Sequence, residues 1–536
     1  MLRLIPLLFV FTISAQQQKL GKVTIADLKE SAHLLDSTAA AAILYKSADV
    51  YFEATSEGFW NVITDVEVRI KIYNKQGYDY GNFKLEYYSG PHGETVSISD
   101  AATYNLVDGK VERTKLKKEG EFTQEIRENY KEKKITLPNV KEGSIVEYKY
   151  TVRSYNNVVF DDFHFQYDIP VDFIKYRVCA PDFFEYNRML VGYLKPTRTD
   201  EYINNVNRGY NEHRINFTMQ NVPALKEESF VNNINNYRSK LKQELSATKD
   251  KQGNIKESYA TTWEAVAKKI YDDSDFGSQL NKDSYFEEDL TAILVGAATQ
   301  EEKVTRIFDF VQSRMAWNEY NGFFCKEGVK NAYKNKSGNV ADINLMLTAM
   351  LRHAGINANP VLISTRSNGV TVLPSRAAYN YVVAGIETDK DPILLDASSK
   401  NTRPGILPLR ALNWFGRIIR KDGSSAEVNL MPTSNSKEAV SIMASINTDG
   451  SVSGKMRDQY NDYNAYTFRE QYIGISEDSY LQKLEGKYKG IEISEYEVAN
   501  SSELAKPVME TYSFPIIIWS RSSVARCTFR QCCFLH

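Results

Sequence analysis

The sequence predicts an α+β chain of several domains: a large antiparallel β domain, a mixed helical and sheet module, and a β-rich C-terminal part. Changes of hydrophobic period near residues 235 and 423 carry this prediction, together with one helix that is apolar on more than one face. At roughly 100 to 200 residues per domain, 536 residues allow about three to five domains with cores of their own.

Residues 24 to 57 are Ala-rich and helix-compatible, ending in aromatics. From Val66 the alternation of Val66, Val68, Ile70 and Ile72 with Glu67, Arg69 and Lys71 has the period of a half-buried strand. Strands are read next over Phe83 to Tyr87, Ile145 to Val152, Phe163 to Val171, Phe173 to Val178 and Arg214 to Met219, with Asp108-Gly109 as a hairpin turn. These place a β-rich N-terminal domain over residues 16–235.

A mixed module follows over 236–422. Helical spacing appears at Trp263, Val266, Ala267 and Ile270, and again at Val304, Ile307, Phe308 and Val311. The third helix, Ala341 to Ala354, carries Ile343, Met346, Leu347, Met350 and Leu351 on more than one face and stops at Gly355, as a core helix would. Strands are expected over Val361 to Ser364, Tyr379 to Ile386 and Ile393 to Leu395. A β-rich C-terminal domain is expected over 423–519, with Thr448-Asp449-Gly450 as a turn and a strand near Ile516 to Trp519. Residues 520–536 are basic, Cys-rich and patternless, and read equally as an irregular native tail or as a truncated or out-of-frame end.

Arg3, the apolar run Leu4 to Phe11 and Ala15 before Gln16 have the layout of a signal peptide over residues 1–15. No later apolar stretch approaches the about 20 residues a membrane-spanning helix needs, so the expectation is an exported protein, periplasmic or extracellular, with no transmembrane span. Lys plus Arg number 66 against 68 Asp plus Glu, and this balance gives no long-range pull toward nucleic acid. Five cysteines, three of them Cys527, Cys532 and Cys533, form no disulfide framework.

A cysteine nucleophile gains from a helix N-terminus, where unpaired N–H groups and the dipole stabilise the thiolate, while a histidine takes the proton and a carboxylate orients the ring. The segment Ser337-Gly338-Asn339-Val340-Ala341-Asp342, followed by Leu351-Arg352-His353-Ala354-Gly355-Ile356-Asn357-Ala358, resembles the nucleophile motif of bacterial transglutaminase-like domains of papain-like fold. That family has Gly-x-Cys-x-Asp before an apolar helix closing in Leu-Arg-x-x-Gly-Ile-x-Ala. Here Val340 holds the Cys position. The Asn-His element that starts a strand is Asn380-Tyr381, and Leu-Asp at the end of the next strand is Leu395-Asp396. The resemblance covers residues 260 to 400. Ahead of it, Asp168-Ile169-Pro170-Val171 and Tyr186-Asn187 resemble family 3857 of domains of unknown function, which commonly precedes this module in exported bacterial proteins.

Valine has no nucleophilic atom, and tyrosine, with an unperturbed pKa of about 10, is a poor general base at neutral pH. The resemblance therefore implies a degenerate triad, Val340, Tyr381 and Asp396, with no catalytic residue. The leading expectation is a noncatalytic structural or recognition module, with Trp317, Asn339, Asn380, Tyr381 and Asp396 as cleft groups for an envelope peptide, protein or glycan. The alternative is a cell-envelope peptide hydrolase or transamidase with a relocated nucleophile such as Cys325. Ser337 reads as an N-cap, and Asp342 and Asp396 as structural acids. His353 has no sequence neighbour at metal-ligand spacing, so no metal or other cofactor is expected.

Overall fold

The computed structural model describes residues 19–517, apart from 206–208, 251, 260–261, 371–373, 376–377, 447, 449–450 and 489–490. The expected signal peptide, the three C-terminal cysteines and the 520–536 tail lie outside the described residues. The chain divides into two compact units at residue 261.

The first unit is built on an eight-stranded sheet. Its strands lie in the spatial order Thr197–Asn205, Tyr210–Val222, Val171–Pro181, Ala41–Ala54, Trp60–Ile72, Ile145–Ser154, Thr95–Val107 and Lys110–Lys115. Every pairing is antiparallel except that of Ala41–Ala54 with Val171–Pro181, which is parallel. The Ala-rich stretch read as helix-compatible is thus a strand in the body of the sheet. Hydrogen bonding on both sides and burial of Ile43, Val50 and Phe52 override the helical propensity of its alanines. The run Phe163 to Val171 is not one strand: only Phe163–His164 pairs, and the main strand starts at Val171. Asp108 and Gly109, both at positive φ, close the expected hairpin. Beyond residue 235 the strand Lys240–Lys249 pairs with Phe184–Val191, so this unit's sheets continue past the change of period. Lys71 is fully buried, its ammonium donating to the carbonyls of Asp27, Leu28 and Gly143 at 2.9, 2.9 and 2.8 Å, which ties the helix Ile25–Lys29 to the sheet.

In the second unit the helix Val340–His353 packs on a five-stranded sheet ordered Ile393–Leu395, Tyr381–Ile386, Ala358–Ile363, Phe415–Ile419 and Ser425–Asn429. The helix is buried from Val340 through Leu351, which explains apolar residues on more than one face. Gly355, at φ +82, ends it in a conformation open to glycine without strain. The C-terminal sheet orders Glu438–Ile446, Ser451–Tyr460, Val508–Ile517 and Ser494–Ala499. Between its strands run the helices Asp462–Ile473 and Glu477–Lys487, which the sequence reading did not contain. No helix among the described residues is long and apolar enough to cross a membrane.

Candidate functional site

The N-terminus of the core helix is built by Asn339, not by Ser337. The Asn339 side chain accepts from the Asp342 N–H at 2.8 Å, and the Asp342 carboxylate accepts from the Asn339 N–H at 3.0 Å, a reciprocal capping box. Asn339 Nδ2 also donates to the Phe324 carbonyl at 2.8 Å. Asp342 is fully buried and further accepts from the Gly328 N–H at 3.0 Å, fastening the preceding loop. Gly338 makes room for this: a Cβ there would lie 2.6 Å from the Asp342 Cβ.

Val340, on the first turn, is fully buried in one apolar cluster with Val361, Ile363, Tyr381 and Val383, and Trp317 packs against that cluster. Asp396 follows the strand Ile393–Leu395, beside the strand opened by Tyr381. The Tyr381 hydroxyl donates to Asp396 Oδ2 at 2.6 Å and accepts from Arg410 Nε and Nη2 at 3.1 and 2.9 Å, with Ser398 Oγ 3.1 Å away. Asp396 Oδ1 accepts from Asn344 Nδ2, the Ser398 N–H and Ser398 Oγ at 2.9, 2.9 and 2.6 Å. Burial, and then the Asp396 charge, push the Tyr381 phenol well above its ordinary value. The Arg410 Cζ sits over the Trp317 ring, 4.3 Å from its centroid, and the guanidinium is the counter-charge of Asp396 across the phenol.

Tyr381 and Asp396 were expected as polar groups of an open cleft. Both are fully buried and satisfied from within the fold, and Asn339 is buried as a cap. Asn380 bonds inward too, through Nδ2 to Thr365 Oγ1 and through Oδ1 to the Thr365 N–H, each at 2.9 Å. Trp317 is half-buried and donates to the Tyr320 carbonyl at 3.0 Å. Arg410, Ser398 and Asn344 complete the arrangement. They escaped sequence reasoning, although Asn344, one turn into a helix otherwise apolar around it, is a buried amide that calls for a partner.

Cys325 is buried, its N–H donating to the Asp275 carbonyl at 2.9 Å. Burial pushes its thiol up and the neighbouring Asp342 carboxylate adds to the effect, the opposite of what a nucleophilic cysteine needs. His353 Nδ1 lies 3.7 Å from the Asp283 carboxylate, and Glu287 joins them with ligand-type atoms all within 4.8 Å. All three side chains are exposed, a grouping common on surfaces that hold no ion.

A core helix starting against a sheet, with its first turn, the head of one strand and the end of the next meeting in one cluster, defines the class: a papain-like, transglutaminase-type module behind a large β domain. Residues 289–391 match the transglutaminase-like superfamily, and residues 61–226 match DUF3857, a domain of unknown function with a solved structure. The chain therefore carries a transglutaminase-like domain preceded by a DUF3857 domain. Among solved structures it is similar to a "putative protease" from Parabacteroides distasonis, at 12% identity and a TM-score of 0.52, over 89% of this chain and 93% of that one; at this identity the likeness shows the fold alone. No curated protein matches the chain.

Proposed function

We propose that this is an exported, noncatalytic cell-envelope protein whose transglutaminase-like domain serves as a rigid structural module. One observation carries the reading: the nucleophile and base positions are Val340 and Tyr381, both fully buried, and the phenol is locked between Asp396 and Arg410. A methyl group forms no acyl intermediate. A phenol that donates to a carboxylate and accepts from a guanidinium has no role left as a proton acceptor. The likeness in fold to a protease does not supply the missing groups, since a fold carries no chemistry without its site. Where an envelope peptide or glycan strand docks on this module, the half-buried Trp317 and the Arg410 guanidinium stacked on it are the groups suited to receive it.

The test is direct assay of the purified protein for amine incorporation into a glutamine peptide, for ammonia release and for hydrolysis of envelope-type peptides. Rates equal to those of heat-denatured protein are expected. Turnover that disappears in Cys325→Ala would replace this reading with a relocated-nucleophile enzyme. Export rests on Arg3 and the Leu4 to Phe11 run, and N-terminal sequencing of protein from the native host should begin near Gln16.

A further inference from the structure

The C-terminal sheet buries two carboxyl groups side by side. Asp458 on Ser451–Tyr460 is directly opposite Glu510 on Val508–Ile517, so both project from the same face, with Cβ atoms about 4.5 to 5.5 Å apart as in any opposed pair. They are 2 % and 1 % exposed. Their face carries Met456, Tyr512 and Phe514, which pack with Leu484 of the helix Glu477–Lys487. Glu510 is well provided for: Oε2 accepts from the Tyr460 hydroxyl at 2.9 Å and Oε1 from the Tyr496 hydroxyl at 3.0 Å. Asp458 is less so: its Oδ1 is buried without a hydrogen-bond partner, and its carboxyl otherwise bonds to the Tyr460 phenol and to a second acid, Glu438.

The groups facing Asp458 come from every neighbouring element. Its own strand supplies Tyr460 and the strand Glu438–Ile446 supplies Glu438, another carboxylate. The strand Val508–Ile517 adds Glu510 and Tyr512, and Ser494–Ala499 adds Tyr496, itself bonded to Glu510. From the helix Glu477–Lys487 come Tyr480 and Lys487. Lys487 is exposed and sits over the Tyr488 ring, 5.0 Å from its centroid, rather than in an ion pair with Asp458. From Asp462–Ile473, Phe468 stacks on Tyr460, while Arg469 is spent on the carbonyls of Asn500, Ser501, Glu503 and Lys506. Among the described residues, three acids therefore share one surface-lying cation. Two opposed carboxylates in an apolar layer cannot both ionise at moderate cost, and Glu510 holds phenol donors on both oxygens while Asp458 has an oxygen with none.

We propose that Asp458 and Glu510 form a proton-operated latch: with a proton on Asp458 the helix Glu477–Lys487 lies closed on the C-terminal sheet, and loss of that proton loosens it. Burial, followed by the charge of Glu438, raises the Asp458 carboxyl to about 7. The folded form thus keeps a proton that the unfolded chain has already released. The stabilisation is full below about 4, falls as pH rises toward about 7, and is gone above it.

The experiment is hydrogen exchange by mass spectrometry on the full chain between pH 5 and 9, corrected for intrinsic exchange. It follows peptides from 451–460, 477–487 and 508–517, with 340–353 as the internal reference. Protection of the three C-terminal segments should fall by up to about tenfold per pH unit toward neutrality and level off above it, while the reference stays flat. Asp458→Asn should abolish that slope. A flat wild-type profile, or an unchanged slope in Asp458→Asn, overturns the latch. If Asp458→Asn does not fold, the exposed Glu438→Gln decides: removing its charge should move the fall to lower pH, and an unmoved profile refutes the proposal.

Discussion

Tyr381→Phe removes one oxygen atom and breaks the contact between a fully buried carboxylate and a half-buried guanidinium. In the native arrangement the hydroxyl satisfies Asp396 Oδ2 at 2.6 Å and takes two donors from Arg410 at 2.9 and 3.1 Å. After the change Asp396 keeps its three bonds on Oδ1, but Oδ2 loses the Tyr381 hydroxyl, and Arg410 retains Ser398 Oγ at 3.3 Å. Hydrogen bonds to charged groups contribute about 1.5 to 3 kcal/mol each, and a buried charge left without its partner costs about 3 to 5 kcal/mol. Since Arg410 and Asp396 can relax toward each other, a loss of about 3 kcal/mol is expected, a large part of the about 5 to 15 kcal/mol of a typical domain. Urea denaturation followed by tryptophan emission reads it, because Trp263, Trp317 and Trp414 lie in the second unit against Trp60 in the first. A cycle with Asp396→Asn should show the double variant losing less than the sum of the two singles by at least about 1 kcal/mol. A loss in Tyr381→Phe below about 1 kcal/mol, or strict additivity, would refute the view that the phenol bridges these charges.

Three further outcomes follow from the same geometry. In a Cys325→Ala background, with labelling read at residue 340 by peptide mass because other native thiols remain, Val340→Cys alone should show iodoacetamide labelling near zero at neutral pH, since the position is fully buried in the cluster that holds Tyr381; adding Tyr381→His should give slow labelling there that rises with pH. Gly338→Ala places a Cβ 2.6 Å from that of Asp342 and should cost about 1 to 3 kcal/mol by the same urea assay, with exchange rising first at the start of the core helix. Lys71→Met leaves one buried and two partly buried carbonyls without their donor and should cost about 1 to 3 kcal/mol, read as lost exchange protection over 25–29 and 66–72.

The parts of the fold legible in the sequence are those where one face of an element decides its pattern. Val66 to Ile72 alternates because its apolar side chains meet the main core, but the strand is not half-buried as its pattern implied: Arg69 and Lys71 on the other face are buried as well, held by Glu147 and by the carbonyls of Asp27, Leu28 and Gly143. The run Ile343 to Leu351 is apolar around the helix because sheet and helices enclose it. Ala41–Ala54 was misread because its alanines report propensity, whereas its state is set by partners about 20 and about 130 residues away. The helices Asp462–Ile473 and Glu477–Lys487 were missed because aromatic and charged residues are spread around them rather than gathered on one stripe. At the site, chain order was enough to bring Val340, Tyr381 and Asp396 under consideration together. How the Tyr381 phenol is held was not readable, because it depends on Arg410, which lies in a turn after the last motif with no periodic signal around it.

What this domain keeps and what it lacks separate cleanly by physical role. Gly338 and Asp342 build the helix start, one by leaving space and the other by accepting three or more backbone N–H groups, and neither needs a nucleophile between them. Asp396 retains the position of an orienting acid, but what it orients is a donor fixed in place. In a cysteine–histidine–aspartate arrangement the imidazole must keep one nitrogen free to accept the thiol proton. Here the phenol oxygen is committed on both sides, and the cation that could assist a thiolate is already neutralised by Asp396 through that oxygen. Substituting histidine at 381 therefore does not restore the old electrostatics, because Arg410 would remain beside the ring and oppose the imidazolium that forms when the thiol ionises. Reactivity in a Val340→Cys, Tyr381→His chain is limited by this guanidinium as much as by the new side chains. In the noncatalytic reading proposed above, three positions stand in the way of cysteine–histidine chemistry, Val340, Tyr381 and Arg410, of which the motif alone exposes two.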